Sequence, residues 1–157
     1  MNINHRAAVL VVLLVGILSG CGPTKGDAKA FVQKINSSNG RRLVNLYAQY
    51  QGEYGSGPKS DVIFKKYIAA KSPASLEEIG VAPGSIDKLF ISERDGQPFS
   101  IRYGIPYAGG LQQAVVFESQ GQGGKVNVFF FGLKTLEVTA GEVAAYKDGS
   151  KDERPGQ

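Results

Sequence analysis

The chain contains 157 residues, of which 18 are basic and 14 are acidic, so its formal charge is +4. This length supports one domain, and the basic residues are spread along the chain, so the composition predicts no nucleic-acid partner. A single cysteine and a single histidine exclude an internal disulfide and the usual zinc sites, and no cofactor is expected.

The N-terminal segment is predicted to be a secretory leader. Arg6 precedes an uncharged apolar run at residues 7–18, and roughly a dozen helical residues span only ~18 Å, which is short for a membrane crossing. The pattern is typical of a signal peptide, so residues 1–20 are expected to be removed. His5 would leave with them, which excludes Ser–His and Cys–His catalysis in the mature protein.

The apolar run ends in Leu18-Ser19-Gly20-Cys21. These residues resemble the lipobox of bacterial lipoproteins, in which a peptidase cuts before a cysteine whose thiol carries diacylglycerol. The resemblance implies lipidation of Cys21 and attachment to a membrane in the cell envelope. Gly22, rather than aspartate, after the cysteine favours the outer membrane if the enterobacterial sorting rule applies. The alternative is an ordinary signal peptide followed by an incidental cysteine.

A polar tether and a long amphipathic helix are predicted next. Residues 22–27 (GPTKGD) form the tether. One helix is expected over residues 28–54, with a frayed or kinked joint at residues 36–40, because these residues are poor helix formers. Gly55 then offers a left-handed C-cap, and Pro58 lies shortly after it.

The two faces of this helix are assigned from their spacing. The apolar positions of its second half recur at helical intervals and are predicted to be buried: Leu43, Leu46, Tyr47, Tyr50 and Tyr54. The positions predicted to face water step by four: Arg41, Asn45, Gln49 and Glu53.

Two shorter helices follow the long one. Ser60 or Asp61 is predicted to cap a helix through Ile68. Its core-facing residues are Ile63, Phe64, Tyr67 and Ile68. Pro73 begins the second helix, which Gly80 and Pro83 end.

The second half of the sequence predicts a small antiparallel sheet. Strand-like runs occur at residues 89–91, 99–103, 114–118, 126–131 and 136–138. Asp95-Gly96 predicts a hairpin turn, as do residues 121–124. Because residues 128–131 are apolar throughout, their strand is predicted to be central, with the long helix on one side. Thr139 is expected to cap a last short helix, and residues 148–157 to form a disordered tail.

Three segments resemble type II secretion pseudopilins and the pilin-like proteins of planctomycetes. They are the helix exit at residues 46–55 (LYAQYQGEYG), the strand entry at 95–103 (DGQPFSIRY) and the closing strand pair at 126–138. The resemblance implies a pilin-like α+β domain over residues 28–147, in which a long N-terminal helix packs on a small antiparallel sheet. The chain differs from pseudopilins in having a lipobox instead of a prepilin peptidase site, so insertion into a pilus is not expected.

Several candidate sites were weighed against simpler explanations. Residues 121–125 (GQGGK) lack the residues that a phosphate-binding loop needs, so a turn is favoured. Glu93 and Asp95 offer too few oxygens for Ca²⁺. Arg41-Arg42 is too short a basic cluster to bind anionic lipid, and a solvated helix face is favoured. No metal site or catalytic residue is therefore predicted.

The predicted function is that of a non-catalytic structural or interaction module, held at the membrane by its lipid and contacting another envelope protein. Its candidate contact is the hairpin turn: Glu93, Arg94, Asp95, Gly96 and Gln97. The alternative is an envelope hydrolase or ligand-binding lipoprotein that uses a carboxylate site. A deep pocket lined by acidic residues would favour this alternative.

Overall fold

A computed structural model of the chain describes residues 36–82, 84–106 and 112–152. The helices are α1 (Asn39–Tyr54), α2 (Asp61–Ala69), α3 (Pro73–Glu78), α4 (Ile86–Leu89) and α5 (Val143–Lys147), the last preceded by a 3-10 turn (Ala140–Glu142). The strands are β1 (Ser100–Ile101), β2 (Ala114–Phe117), β3 (Lys125–Phe130) and β4 (Thr135–Thr139), and they form one antiparallel sheet in sequence order. The domain is therefore α+β, as the sequence predicts.

Helix α1 begins later than predicted. Ser38 has extended backbone (φ −148°, ψ 165°), and its hydroxyl accepts a hydrogen bond from the backbone N–H of Arg41. An N-cap in this conformation starts a helix, so the helix is interrupted at residues 36–38, inside the predicted joint at residues 36–40. The earlier part of that predicted helix, residues 28–35, lies outside the described residues. The predicted stop is confirmed, because Gly55 is left-handed (φ 75°) and its N–H donates to Gln51 O.

The predicted faces of α1 are correct in the middle and wrong at both ends. Leu43, Leu46 and Tyr47 are fully buried, as predicted. Tyr54, predicted to be buried, is 61% exposed, because it stacks on Tyr50 beyond the edge of the core. Arg41, predicted to face water, is only 5% exposed, because its guanidinium lies against the backbone of the β3–β4 turn.

The sheet is covered on both faces. On one face α1, α2 and α4 pack with Val115, Val116 and Phe129. On the other face α5 packs through Val143 and Tyr146. Strand β3 is an inner strand, with Phe129 facing α1 and its neighbours facing α5. This arrangement explains why residues 128–131 are apolar at every position and confirms the prediction of a central strand.

The first predicted strand and part of the α2 face need correction. Leu89 ends helix α4 instead of starting a strand, because Leu89 and Phe90 are both buried in the core on the α1 side. The predicted hairpin is reduced to a bridge between Ile91 and Pro98 and the two-residue strand β1. In α2, Phe64 and Ile68 are buried as predicted, whereas Ile63 is 38% exposed.

Disorder is predicted for residues 148–157, but residues 148–152 are ordered in the structure. Arg102 forms a bidentate ion pair with Asp152, with both N–O distances at 2.9 Å. The same carboxylate accepts a hydrogen bond from the backbone N–H of Ala114 at 3.2 Å. Asp152 therefore binds the sheet, while Asp148, Ser150 and Lys151 donate to backbone carbonyls of α5. Residues 153–157 lie outside the described residues.

Helix α1 approaches the sheet closely at Gly40. A Cβ atom at this position would lie 2.5 Å from Cε2 and Cζ of the Phe129 ring. The Phe129 ring makes an edge contact with Phe99 and lies under the Arg41 guanidinium. These two neighbours restrict the movement of the ring. The glycine, which weakens the helix locally, is thus required for packing.

Gly40→Ala is expected to lower the free energy of unfolding by ~1–3 kcal/mol through overpacking, although intrinsic helix propensity favours alanine by about 1 kcal/mol. Gly52→Ala is a matched control in the same helix, since nothing lies within 4 Å of its Cβ position. We expect this control to be neutral or stabilising in urea denaturation. A stabilising Gly40→Ala would contradict the close approach.

Candidate functional site

The predicted contact turn is present in the structure. The backbone N–H of Ser92 donates to Gln97 O at 2.9 Å, and the N–H of Gly96 donates to Ser92 O at 3.0 Å. Gly96 has φ 67°, a conformation that glycine adopts without strain. The Asp-Gly signal therefore identified a real turn.

Arg94 of this turn is directed into the domain. Its guanidinium lies 3.4 Å from the Glu118 carboxylate and 2.6 Å from the Glu137 carboxylate, and it also donates to Gln122 O at 3.2 Å. The hydrogen bond from Arg94 holds the pKa of Glu137 below its usual value, with a smaller contribution from Lys125. Arg94 thus links the turn to β2, β4 and the β2–β3 connection.

The two acidic residues of the turn are also engaged within the domain. Asp95 accepts hydrogen bonds from the backbone N–H groups of Gln97, Gln120 and Gly121 at 3.0, 3.1 and 2.6 Å. Partial burial raises the pKa of Asp95, but these bonds outweigh it and leave the pKa below its usual value. Glu93 accepts from the backbone N–H of Asn39 at 2.8 Å, where the dipole of α1 favours negative charge.

Residues 93–97 stay a predicted partner contact, but the charged side chains of the turn are engaged within the domain. Arg94 and Asp95 hold the turn to neighbouring loops, so alanine substitutions there are expected to reduce stability and not only partner binding. Glu93, Gly96 and Pro98 are the exposed positions of residues 92–98.

Glu118, which follows β2, is a buried polar residue that sequence reasoning missed. It is 2% exposed, and its carboxylate accepts from Asn127 N at 2.8 Å, from Asn127 Nδ2 at 3.2 Å and from Ser92 Oγ at 3.2 Å, in addition to its contact with Arg94. A glutamate directly after a fully apolar strand was the available signal. Its partners come from two separate segments, the 92–97 turn and β3, which no local pattern connects.

A cleft of about 620 Å³ opens beside these residues, between the start of α1, the 92–97 turn and the β3–β4 hairpin. Its lining is mixed: Ser37, Ser38, Arg41, Glu93, Arg94, Phe99, Glu118, Asn127, Phe129, Leu133 and Thr135. The cleft includes two glutamates, but each already accepts hydrogen bonds from protein donors. We refer to this feature as the α1 cleft.

Arg41 forms a buried, positively charged wall of the α1 cleft. Its guanidinium donates to Gly132 O at 2.6 Å, Phe130 O at 3.0 Å and Lys134 O at 2.6 Å. Burial lowers the pKa of Arg41 to about 10, so the side chain stays charged at neutral pH. Its Nε has no hydrogen-bond partner, and none of the ion pairs between described residues includes it.

A second feature lies at the other end of α1. Tyr50, Tyr54 and Tyr67 form a trio of contacting rings, with ring centroids 4.5 to 6.2 Å apart. The Tyr50 and Tyr54 rings are tilted by 34°, and each meets the Tyr67 ring edge to face. Ile63 lies one helical turn before Tyr67 and extends the apolar area. We call these four residues the aromatic surface.

Polar contacts hold the aromatic surface in place. The hydroxyl of Tyr67 donates to Glu53 Oε1 at 2.6 Å, and the ammonium of Lys71 lies 4.3 Å from the Tyr67 ring centroid. Burial, followed by the hydrogen bond to Glu53, raises the pKa of Tyr67 above its ordinary value. The Tyr54 ring remains the most exposed of the group.

The other candidate sites gain no structural support. Within residues 36–82, 84–106 and 112–152, no three His, Cys, Asp or Glu side chains are grouped in a way that would hold a metal ion. In the same ranges, no helix has the length and apolar character needed to cross a membrane. Residues 121–125 form the predicted turn, with a bridge between Gln122 and Lys125.

Comparison of the chain with protein-family models, with curated proteins and with solved structures finds no match. The function proposed below therefore depends on the lipobox-like sequence at residues 18–21 and on the contacts of the described residues.

The pKa of Asp95 predicts a pH-dependent contribution to stability. Because its folded-state pKa is depressed, this contribution is present above the unfolded pKa of about 3.9 and is lost as the pH falls through the folded value. Asp95→Asn keeps only one acceptor oxygen, so it should lower the urea midpoint at pH 7. Near pH 2, where the wild-type carboxylate is protonated, the difference between the two proteins should be much smaller.

Asp87→Asn is a suitable control, because the Asp87 side chain is 90% exposed and pairs only with Lys65 at the surface. It should change the urea midpoint little at either pH. An Asp95→Asn defect of equal size at both pH values would contradict the assigned role of the carboxylate.

Proposed function

We propose that this chain is a lipoprotein of the bacterial cell envelope, anchored through Cys21, whose folded domain is a non-catalytic interaction module. The observation that carries the proposal is the sequence Leu18-Ser19-Gly20-Cys21 at the end of a short apolar leader. The chain between Cys21 and Asn36 has roughly fifteen residues and reaches at most ~50 Å when extended. The domain would therefore act close to the membrane, with the outer membrane favoured.

The finer fold assignment is also a proposal. We infer a pilin-like arrangement, because α1 lies across one face of a four-stranded antiparallel sheet whose strands follow one another in sequence. The lipid anchor would take the place of the membrane-inserted segment of a pseudopilin. The domain would accordingly work singly at the membrane and not as a pilus subunit.

The aromatic surface is the proposed contact with another envelope protein. Tyr54 is 61% exposed beside the partly buried rings of Tyr50 and Tyr67. Ile63, which is 38% exposed, lies one helical turn before Tyr67. Tyrosine offers a large, rigid contact area together with a polar tip and is enriched at protein interfaces. This surface is better suited to contact than the 93–97 turn, whose charged side chains are engaged within the domain.

The first test concerns the anchor. Cys21→Ala should abolish incorporation of a palmitate analogue and release the protein from membranes, because each buried CH₂ of an acyl chain contributes ~0.8 kcal/mol to membrane binding. Ser19→Ala keeps a small residue in the lipobox and should leave both properties unchanged. Membrane attachment that persists without labelling would reject the lipoprotein assignment.

The second test concerns the contact surface. A photoreactive amino acid in place of Tyr54, in the full-length protein in its native membrane, should give a discrete covalent adduct with an envelope protein. The control position is Ala144, which is exposed on α5 at the opposite face of the sheet. Adducts of equal yield from both positions, or from neither, would contradict an interface at the aromatic surface.

A further inference from the structure

The α1 cleft has features of a ligand site that the proposed anchoring role does not use. We propose that it binds a small ligand carrying one carboxylate on an apolar body. Its volume of about 620 Å³ lies within the roughly 300–1,000 Å³ typical of small-molecule sites. This would give the protein a binding activity separate from its contact with a partner protein.

The charge of Arg41 is the first argument. The guanidinium is 5% exposed and lines the cleft, yet its described partners are neutral backbone carbonyls. A buried cation without a counter-ion is unfavourable unless a negative group lies nearby. The other cations beside the cleft have such groups, since Arg94 pairs with Glu118 and Glu137, and Arg42 lies 3.6 Å from Glu93.

Unused hydrogen-bond donors are the second argument. An arginine has five N–H donors, of which Arg41 uses three in the described contacts. One Nη1–H remains, besides an Nε–H that is fully buried and has no partner. Ser37 and Ser38 bring hydroxyl groups to the same wall at the start of the sixteen-residue helix α1. The positive end of a helix of this length adds a favourable field for an anion.

The remaining walls define the rest of the ligand. Phe99 and Phe129 meet edge to face, with ring centroids 5.9 Å apart, and Leu133 is 40% exposed beside them. These side chains favour an apolar or aromatic body. Glu93 and Glu118 line the same cleft and would repel a second negative charge, so the site favours a monoanionic carboxylate over a phosphate dianion.

The test uses the full chain purified in detergent and follows backbone amides by two-dimensional ¹H–¹⁵N NMR. Benzoate is the probe, benzamide is its neutral counterpart, and inorganic phosphate represents a dianion. Changing the ligand tests the role of charge without replacing Arg41, which also holds the β3–β4 turn. Leu133→Trp is expected to fill the cleft while leaving the hydrogen bonds of Arg41 intact.

Benzoate should produce saturable shifts confined to amides lining the cleft, with an affinity in about the millimolar range and at least ~10-fold weaker binding of benzamide and phosphate. Leu133→Trp should abolish the benzoate shifts, whereas partition of benzoate into detergent would be unaffected. The proposal is overturned if benzoate causes no saturable shift, if either comparison ligand binds as tightly, or if the shifts persist in folded Leu133→Trp protein.

Discussion

The rest of this fold depends on the hydrogen bonds that the Arg41 guanidinium donates to the β3–β4 hairpin. The guanidinium is buried between the first turn of α1 and the β3–β4 hairpin, where it donates to three backbone carbonyls. The contact with Phe130 O is buried, and leaving a buried acceptor unpaired costs about 1–3 kcal/mol. The contacts with Gly132 O and Lys134 O are part-buried, and Lys134 O also accepts from the Phe130 N–H. Gly40, the residue before Arg41, lets the helix lie close enough for these contacts by leaving room for Phe129.

The two ends of α1 differ in their surfaces. At the start of α1, Arg94, Asp95 and Glu118 connect the 92–97 turn to the sheet through charged hydrogen bonds. These hydrogen bonds hold the walls of the α1 cleft in place, and they engage the charged groups of these side chains within the domain. At the other end of α1, Tyr54 lies outside the core, so the aromatic surface is open to contact.

The features that depend on local sequence patterns, such as helix ends and turns, are predicted correctly. Ser60, Gly55 and Thr139 act at helix ends as their residue types indicate, and the Asp-Gly turn and the central apolar strand were located correctly. Such features depend on backbone preferences within a few residues or on apolar periodicity.

The errors arose where contacts between distant segments outweigh local preference. The spacing of Arg41 matches the polar face and predicts a solvent-exposed side chain. Its hydrogen-bond acceptors, however, lie more than eighty residues away along the chain. Tyr54 fits the apolar stripe, but the core ends before it. Glu118 and Asp152 likewise gain their partners only in the folded chain, so periodicity gives no indication of their roles.

Urea denaturation of Arg41→Met and Arg42→Met tests the central role of the buried guanidinium most directly, because the two changes are identical and adjacent. Arg42 donates to one backbone carbonyl, Ile79 O, and its side chain is 22% exposed. We predict a loss of ~3–5 kcal/mol of unfolding free energy for Arg41→Met and about 1 kcal/mol for Arg42→Met. Equal losses, or a larger loss for Arg42→Met, would contradict the account.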